Sequence, residues 1–318
     1  MNKIVIPGGT GQVGTLLARA FHEEGREVVV LGRKPVNVPW RFVHWDAQTL
    51  GNWASEFEGT DAVINLAGRS VNCRYSQKNR RLITDSRVDS AHIVAEAIRR
   101  AAQPPPVWLQ MSTATIYAHR YDAPNDEITG VIGGDEPGLP DTWRFSIDVA
   151  KAWEQAAQVA CPPWTRLVLL RSAMVMSPDR GGVFDTLSRL VRFGLGGRHG
   201  NGRQYMSWIH EADFVRGVKW ILDHDSITGP INLCAPNPLP DAAFIAALRQ
   251  TWGFPFGLPA TDWMIELGAF YLRTESELIL KSRRVVPGLL TKQGFEFRFS
   301  TWPGAARDLV QRYKNQSF

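Results

Sequence analysis

From Lys3 onward the chain alternates short aliphatic runs with longer stretches in which apolar residues recur every three or four positions. Unbroken runs such as IVI and VVVL suit strands buried on both faces, and the periodic stretches suit amphipathic helices packed against them. On that reading strands lie at residues 3–7, 27–31, 42–44, 62–66, 107–111 and 166–170, with helices at 12–24, 76–102 and 144–159. Gly25, the triple proline at 104–106 and Pro162 stop those helices. The alternation predicts right-handed βαβ units and an α/β fold, a doubly wound parallel sheet over residues 1–175.

After Ser177 the rhythm breaks. A glycine-dense stretch, GLGGRHGNGRQ at 194–204, reads as a loop near a site. Asp213 is expected to cap a helix running to Leu222, with residues 211–235 returning to the first domain. Residues 176–318 otherwise form a smaller substrate-side and C-terminal domain, closing in GFEFRFSTWPGAARDLVQRY as a short strand and a helix. The late tryptophans, Trp252 and Trp263 among them, are expected in the core.

Composition excludes more than it identifies. With 318 residues, 44% hydrophobic and 21% charged, the chain is globular rather than disordered. A net charge of +5 invites nucleic acid, but the basic pairs (Arg80 with Arg81, Arg99 with Arg100, Arg283 with Arg284) lack interleaved aromatics, so no nucleic-acid partner is expected. Cys73, Cys161 and Cys234 stand far apart and encode neither a disulfide framework nor a metal site, which fits a reducing, cytoplasmic setting. The longest uncharged stretch carries prolines and hydroxyls, so no membrane partner is expected, and MNKIVIPGG enters a strand without signal-peptide anatomy.

The sharpest chemistry lies in KIVIPGGTGQVGTLLARAFHEEG, where Gly8, Gly9, Gly11 and Gly14 join an apolar strand to an amphipathic helix. A side chain at Gly9 or Gly11 would keep the backbone from a pyrophosphate, and one at Gly14 would hold helix and strand apart. The turn and first helical residues Thr10, Gln12 and Val13, together with the positive helix end, then face the phosphates. This is a dinucleotide cradle of the Rossmann kind. Which dinucleotide depends on the residue after the second strand, where an acid would bond the adenosine ribose and repel a 2′-phosphate. No acid stands between Val28 and Trp45; Arg33 and Lys34 do, and a guanidinium fork argues for NADP(H) over NAD.

These residues resemble the extended and atypical short-chain dehydrogenase/reductases. NLAG at 65–68, SRVDS at 86–90, STATIY at 112–117, GNGRQYMSWIHEAD at 200–213 and the terminal PGLLTKQGFEFRF sharpen the likeness to the NAD(P)-dependent epimerase/dehydratase type. That is the sugar-nucleotide epimerase-like family with a C-terminal domain of unknown function. The resemblance implies that Asp46 contacts adenine and that Leu66, Ala67 and Gly68 lie along the cofactor. It sets Ser112 on the cofactor side, has Thr113 hold a substrate oxygen, and flanks the nicotinamide carboxamide with Ser172 and Ala173. Arg87 either reaches the cofactor side or is an exposed helix cation.

Two departures stand out. Family members that transfer hydride carry a Tyr four residues before a Lys, whose charge lowers the phenol pKa. In FSIDVAKAWEQAA the lysine is Lys151, holding the nicotinamide ribose or simply solvated, but the tyrosine position is Ile147. Tyr117 and Tyr205 are then candidates for the missing proton donor, or packed rings. The arginine that binds a nucleotide diphosphate is replaced by Met206, leaving Arg203, with Tyr205 and Trp208, as the substrate-side candidates. His210 reads as structural. The residues therefore imply an NADP(H)-dependent oxidoreductase or epimerase acting on a small carbonyl or hydroxyl compound, or alternatively a catalytically weak or inactive NADPH sensor. Pairing through the two long helices would give a homodimer by analogy.

Overall fold

In the computed structural model, which describes residues 2–271 and 275–316, the aliphatic runs assemble into one seven-stranded sheet. Its strands are β1 (Lys3–Pro7), β2 (Glu27–Gly32), β3 (Arg41–His44), β4 (Ala62–Asn65), β5 (Val107–Thr113), β6 (Arg166–Ser172) and, after a long excursion, β10 (Gly229–Leu233). The spatial order is β10-β6-β5-β4-β1-β2-β3 and every pairing is parallel. The order reverses between β1 and β4, which opens a crevice at the carboxyl edge.

Helices cover both faces. On one, α1 (Gln12–Glu23) packs beside α5 (Glu211–Asp223), burying Leu16, Leu17, Phe21, Phe214 and Val218 against Ile4, Ile6 and Val30. On the other, α2 (Gln77–Arg100) and α3 (Asp141–Ala160) bury Val94, Ile98, Trp153 and Ala157 against Val5, Val63 and Leu169. The faces alternate along each strand because successive side chains point to opposite sides.

Between β6 and β10 run β7 (Met174–Met176), α4 (Val183–Arg192), β8 (Tyr205–Met206) and β9 (Trp208–His210). Beyond β10 come β11 (Leu239–Pro240), α6 (Asp241–Trp252), α7 (Asp262–Tyr271), α8 (Glu277–Leu280), α9 (Gly288–Lys292) and α10 (Trp302–Asn315). A separate apolar cluster, with Phe184, Trp208, Phe244, Trp302 and Leu309, ties α4, β9, α6 and α10 together.

Three local expectations are corrected. The helix placed at Asp213 starts at Glu211, capped by His210, whose Nδ1 accepts the Ala212 amide at 3.0 Å. Asp213 instead accepts the amides of Arg298 and Phe299 at 2.9 and 2.7 Å, which leaves FEFRF outside any strand ladder. Trp263 is 68% exposed rather than in the core.

Candidate functional site

The turn after β1 is built by close backbone approach. Gly8 has φ +74°, and a β-carbon there would lie 2.6 Å from the Cα of Ala67, just past β4. A side chain at Gly14 would run into the Gly9 backbone, so α1 can start hard against the turn only with glycine. A β-carbon at Gly11 would meet nothing within 4 Å. The turn is therefore tight on its protein side and open on the other, as a phosphate cradle requires. Gly11, the N-cap of α1, offers no side-chain cap, and the first turn holds no acidic residue to compete for the amides. Thr10 is exposed, Val13 half-buried against the core, and the Gln12 Nε2 is buried without a hydrogen-bond partner.

At the end of β2, Arg33 and Lys34 are exposed and bonded to no described residue. Both carboxylate oxygens of Asp46 are engaged in its own turn, accepting the Gln48 and Thr49 amides at 2.9 Å and the Thr49 hydroxyl. Slight burial raises the carboxyl pKa, but those bonds outweigh it and leave the value below the ordinary range. Leu66 donates its amide to Pro7 O at 2.8 Å, fixing the β4 turn against the β1 turn. Arg87 stacks its guanidinium 4.9 Å from the Trp153 ring centroid and donates to Arg69 O and Ile83 O, next to Gly68. Burial lowers its pKa to about 10.

The carboxyl end of β5 carries Thr113, and α3 carries Lys151 and Ile147. Thr113 accepts the Thr115 amide on Oγ1 at 3.2 Å, which leaves its own proton to donate. Lys151 Nζ lies 2.9 Å from where a β-carbon at Gly134 would sit, with no described hydrogen-bond or ion-pair partner. Ile147, one helical turn earlier, is fully buried, its Cδ1 beneath Gly133 and the backbone of Ala118 close by.

Beneath them runs a polar network in which Ser112 and Tyr117 are joined to Glu154 and Asn232, two residues that sequence reasoning missed. Arg171 grips Glu154 through Nε and Nη2, both at 2.8 Å, and Ser112 Oγ donates to the same carboxylate at 2.5 Å. Arg171 Nη1 donates to the Tyr117 hydroxyl at 3.0 Å, which donates to Asn232 Oδ1 at 2.9 Å. Burial opposes the charge on Arg171, yet the Glu154 carboxylate and Tyr117 raise its pKa overall. Burial likewise raises the Tyr117 phenol, and Arg171 only partly offsets it. The ring is 2% exposed, so Tyr117 is a link in the wall of the site. Glu154 shares the buried stripe of α3 with Ile147, Ala150 and Ala157, and a carboxylate on an apolar helix face is the signal that could have found it.

The remaining candidates spread out. Ser172 Oγ donates to Ala173 O, and the Ala173 amide is taken by Leu233 O at 3.0 Å. Arg203 is exposed over the Tyr121 ring, Tyr205 is half-buried under Arg284, and Trp208 is fully buried against Trp302. A C-terminal strap lies against Thr115 and His119, just past β5. Lys281 Nζ donates to Thr115 O at 2.7 Å, Arg283 Nε to Thr115 Oγ1 at 3.1 Å, and the Ser282 amide to His119 Nδ1 at 2.9 Å. Burial, reinforced by Arg283, lowers the Lys281 pKa to about 7. Among the described residues no cluster of His, Cys, Asp or Glu could hold a metal ion, and no helix is long and apolar enough to cross a membrane.

A doubly wound sheet with an open glycine turn at its switch point defines a dinucleotide-binding protein of the short-chain dehydrogenase type. The pattern of the NAD dependent epimerase/dehydratase family matches residues 4–234, and that of a domain of unknown function, DUF1731, matches residues 260–309. The chain belongs to the NAD dependent epimerase/dehydratase family. An epimerase family protein of Mycobacterium leprae is 30% identical over 94% of this chain and 92% of its own length. The human epimerase family protein SDR39U1 is 28% identical over 97% of this chain and 99% of its own. The crystal structure of human SDR39U1 (isoform 2) with NADPH superposes with a TM-score of 0.84 at 26% identity, covering 97% of this chain and 99% of that one.

Proposed function

We propose that this chain is an NADP(H)-dependent reductase of a small carbonyl compound. The observation that carries the reading is the placement, on one sheet edge, of an open phosphate turn after β1 and a Thr113 hydroxyl whose proton is free after β5. Gly8, Thr10, Gly11, Gln12, Val13 and Gly14 would hold the pyrophosphate, and Arg33 with Lys34 the 2′-phosphate; human SDR39U1, with NADPH in its crystal structure, supports that choice. Leu66 to Gly68 would line the nucleotide, with Lys151 near the nicotinamide ribose. Bound reduced nicotinamide supplies a hydride to an electrophilic carbonyl carbon.

Thr113 donates to the carbonyl oxygen and stabilises the negative charge that develops there. Glu154 and Arg171 act on this step indirectly, by fixing Ser112, next to Thr113, and Tyr117 beyond it. Ile147 can neither give nor take a proton and the Tyr117 hydroxyl is bonded inside the wall, so the product alkoxide takes its proton from water. Two features support a small substrate. Arg203 lies outside, over Tyr121, while Met206, where the resemblance would have a diphosphate-binding arginine, is buried; and Lys281 and Arg283 take up the space beside Thr115.

The test is single-turnover oxidation of bound NADPH, followed by loss of nicotinamide absorbance, with a panel of short aldehydes and ketones. Turnover is expected, and Thr113→Val should slow it by roughly 10² to 10³, the loss of one oxyanion donor. Tight NADPH binding with no turnover on any carbonyl would replace the reductase by a sensor. That second reading draws on the burial of Ile147 at the tyrosine position.

A further inference from the structure

Seven of the large apolar side chains left in solvent come from one region. Phe193 is 78% exposed, Phe256 73%, Trp263 68%, and Leu258 and Leu267 60% each, with Leu195 and Met264 beside them. They come from the end of α4, the loop that follows it, the segment leading into α7, and α7 itself. Backbone pairing brings these segments together: the Leu258 amide donates to Gly194 O at 2.8 Å, that of Gly197 to Leu258 O at 3.2 Å, and that of Ala260 to Arg198 O at 3.0 Å. Helix α7 starts two residues later. Trp263, Met264 and Leu267 fall on one of its sides at the helical three- and four-residue spacings, while Ile265 and Ala269 turn inward. Single exposed leucines need no explanation, but a contiguous aromatic and aliphatic patch marks a binding surface.

The charges around it show what it fits. On the α4 side Arg189, Arg192 and Arg198 are exposed; on the α7 side Asp262 and Glu266 are exposed, with no Lys or Arg anywhere from 253 to 267. A basic apolar half therefore adjoins an acidic apolar half. A two-fold axis through such a surface sets each half against its opposite on the other copy, which pairs the charges as well as burying the rings. The residue types agree: Phe, Trp, Met and Arg are present, and lysine is missing from 180–203 and 253–267. The outer sides of the two long helices, α2 and α3, offer less, with Leu82 and Val159 as their exposed large aliphatics.

We propose that two copies of this chain pair through this patch, the arginine-bearing end of α4 and its loop in one copy covering α7 and residues 256–258 of the other. The contact lies outside the cofactor cradle and stands whether or not the chain turns over a carbonyl.

Sedimentation velocity on the full chain tests it. The wild-type protein should sediment at twice the chain mass at micromolar concentrations. The double variant Phe256→Glu with Trp263→Glu should weaken association by roughly thirtyfold or more, as for loss of central aromatic anchors, with circular dichroism and melting unchanged. Because both residues lie in solvent in the single chain, the fold should tolerate the change. Reversing Arg192 and Arg198 to Glu should also separate the copies, and adding Asp262→Lys and Glu266→Lys should bring them back together. A monomeric wild type, a dimer that survives the double variant, or a charge reversal that the second pair does not repair would each overturn the proposal. Co-flotation of the wild type with phosphatidylglycerol vesicles, lost in the double variant, would assign the patch to a lipid surface and overturn it too.

Discussion

At the scale of single residues, the site combines groups that are free to act with groups already committed. Arg33 and Lys34 stand in solvent and bond to no described residue, so an anion arriving there would displace only water. Replacing Arg33 with alanine should weaken NADPH by about 1.5 to 3 kcal/mol, the range for a charged hydrogen bond, and leave NADH nearly unchanged. Isothermal titration with both nucleotides checks this, and equal losses would remove the 2′-phosphate role. Ile147 shows the opposite condition. Its side chain is fully buried with its tip beneath Gly133, so a tyrosine has no room for its ring. Ile147→Tyr should therefore destabilise the fold by about 1 to 3 kcal/mol through overpacking, rather than recreate the proton donor of the resembling enzymes. Thermal unfolding alongside NADPH oxidation separates these outcomes, and a faster variant of unchanged stability would refute the reading.

At the scale of elements, the strongest patterns were legible and the partner-dependent ones were not. Strand β1 occupies the residues its aliphatic run marks, and α1 falls one residue short of the expected end. In contrast β10, Gly229–Leu233, is short, opens with Gly-Pro, and exists because β6 offers it a parallel edge. The start of α5 was misplaced for a similar reason. Asp213 is a good cap by type, but two amides from residues 298 and 299 take its carboxylate, and His210 caps instead. Because Nδ1 of His210 accepts the Ala212 amide, its proton sits on Nε2 and is donated to Asp308 at 3.0 Å. Burial lowers the His210 pKa to about 4, against the ordinary 6.5. A folded-state value below the unfolded one means that the unfolded chain binds the extra proton first. Stability from this group is thus complete above pH 6.5 and declines as pH falls toward 4. His210→Asn keeps a capping acceptor and has no proton to gain, so its melting temperature should fall less than that of wild type between pH 6.5 and 4. Parallel melting curves over that range would contradict the assignment.

At the scale of the whole molecule, the sheet gathers residues far apart in sequence. Thr113, Lys151, Arg171 and Asn232 come from β5, α3, β6 and β10, and the strap at 281–283 reaches Thr115 across the C-terminal layer. The glycine turn and the missing acid after β2 could be read locally, because a backbone approach and a phosphate contact each need only a few neighbouring residues. The Glu154–Arg171–Tyr117–Asn232 network could not, since its bonds join residues of α3, β6 and β10 with Tyr117, and burial forces each polar group to find a partner only once those elements meet. Hydrophobic period and turn glycines alone determined the layered α/β architecture and the open turn after β1, since local sterics and solvent aversion act on adjacent residues. Tertiary packing decided which polar groups remain free at the sheet edge, which are used up inside it, and which rings stay in water, since burial and charge pairing depend on whatever distant segment arrives alongside.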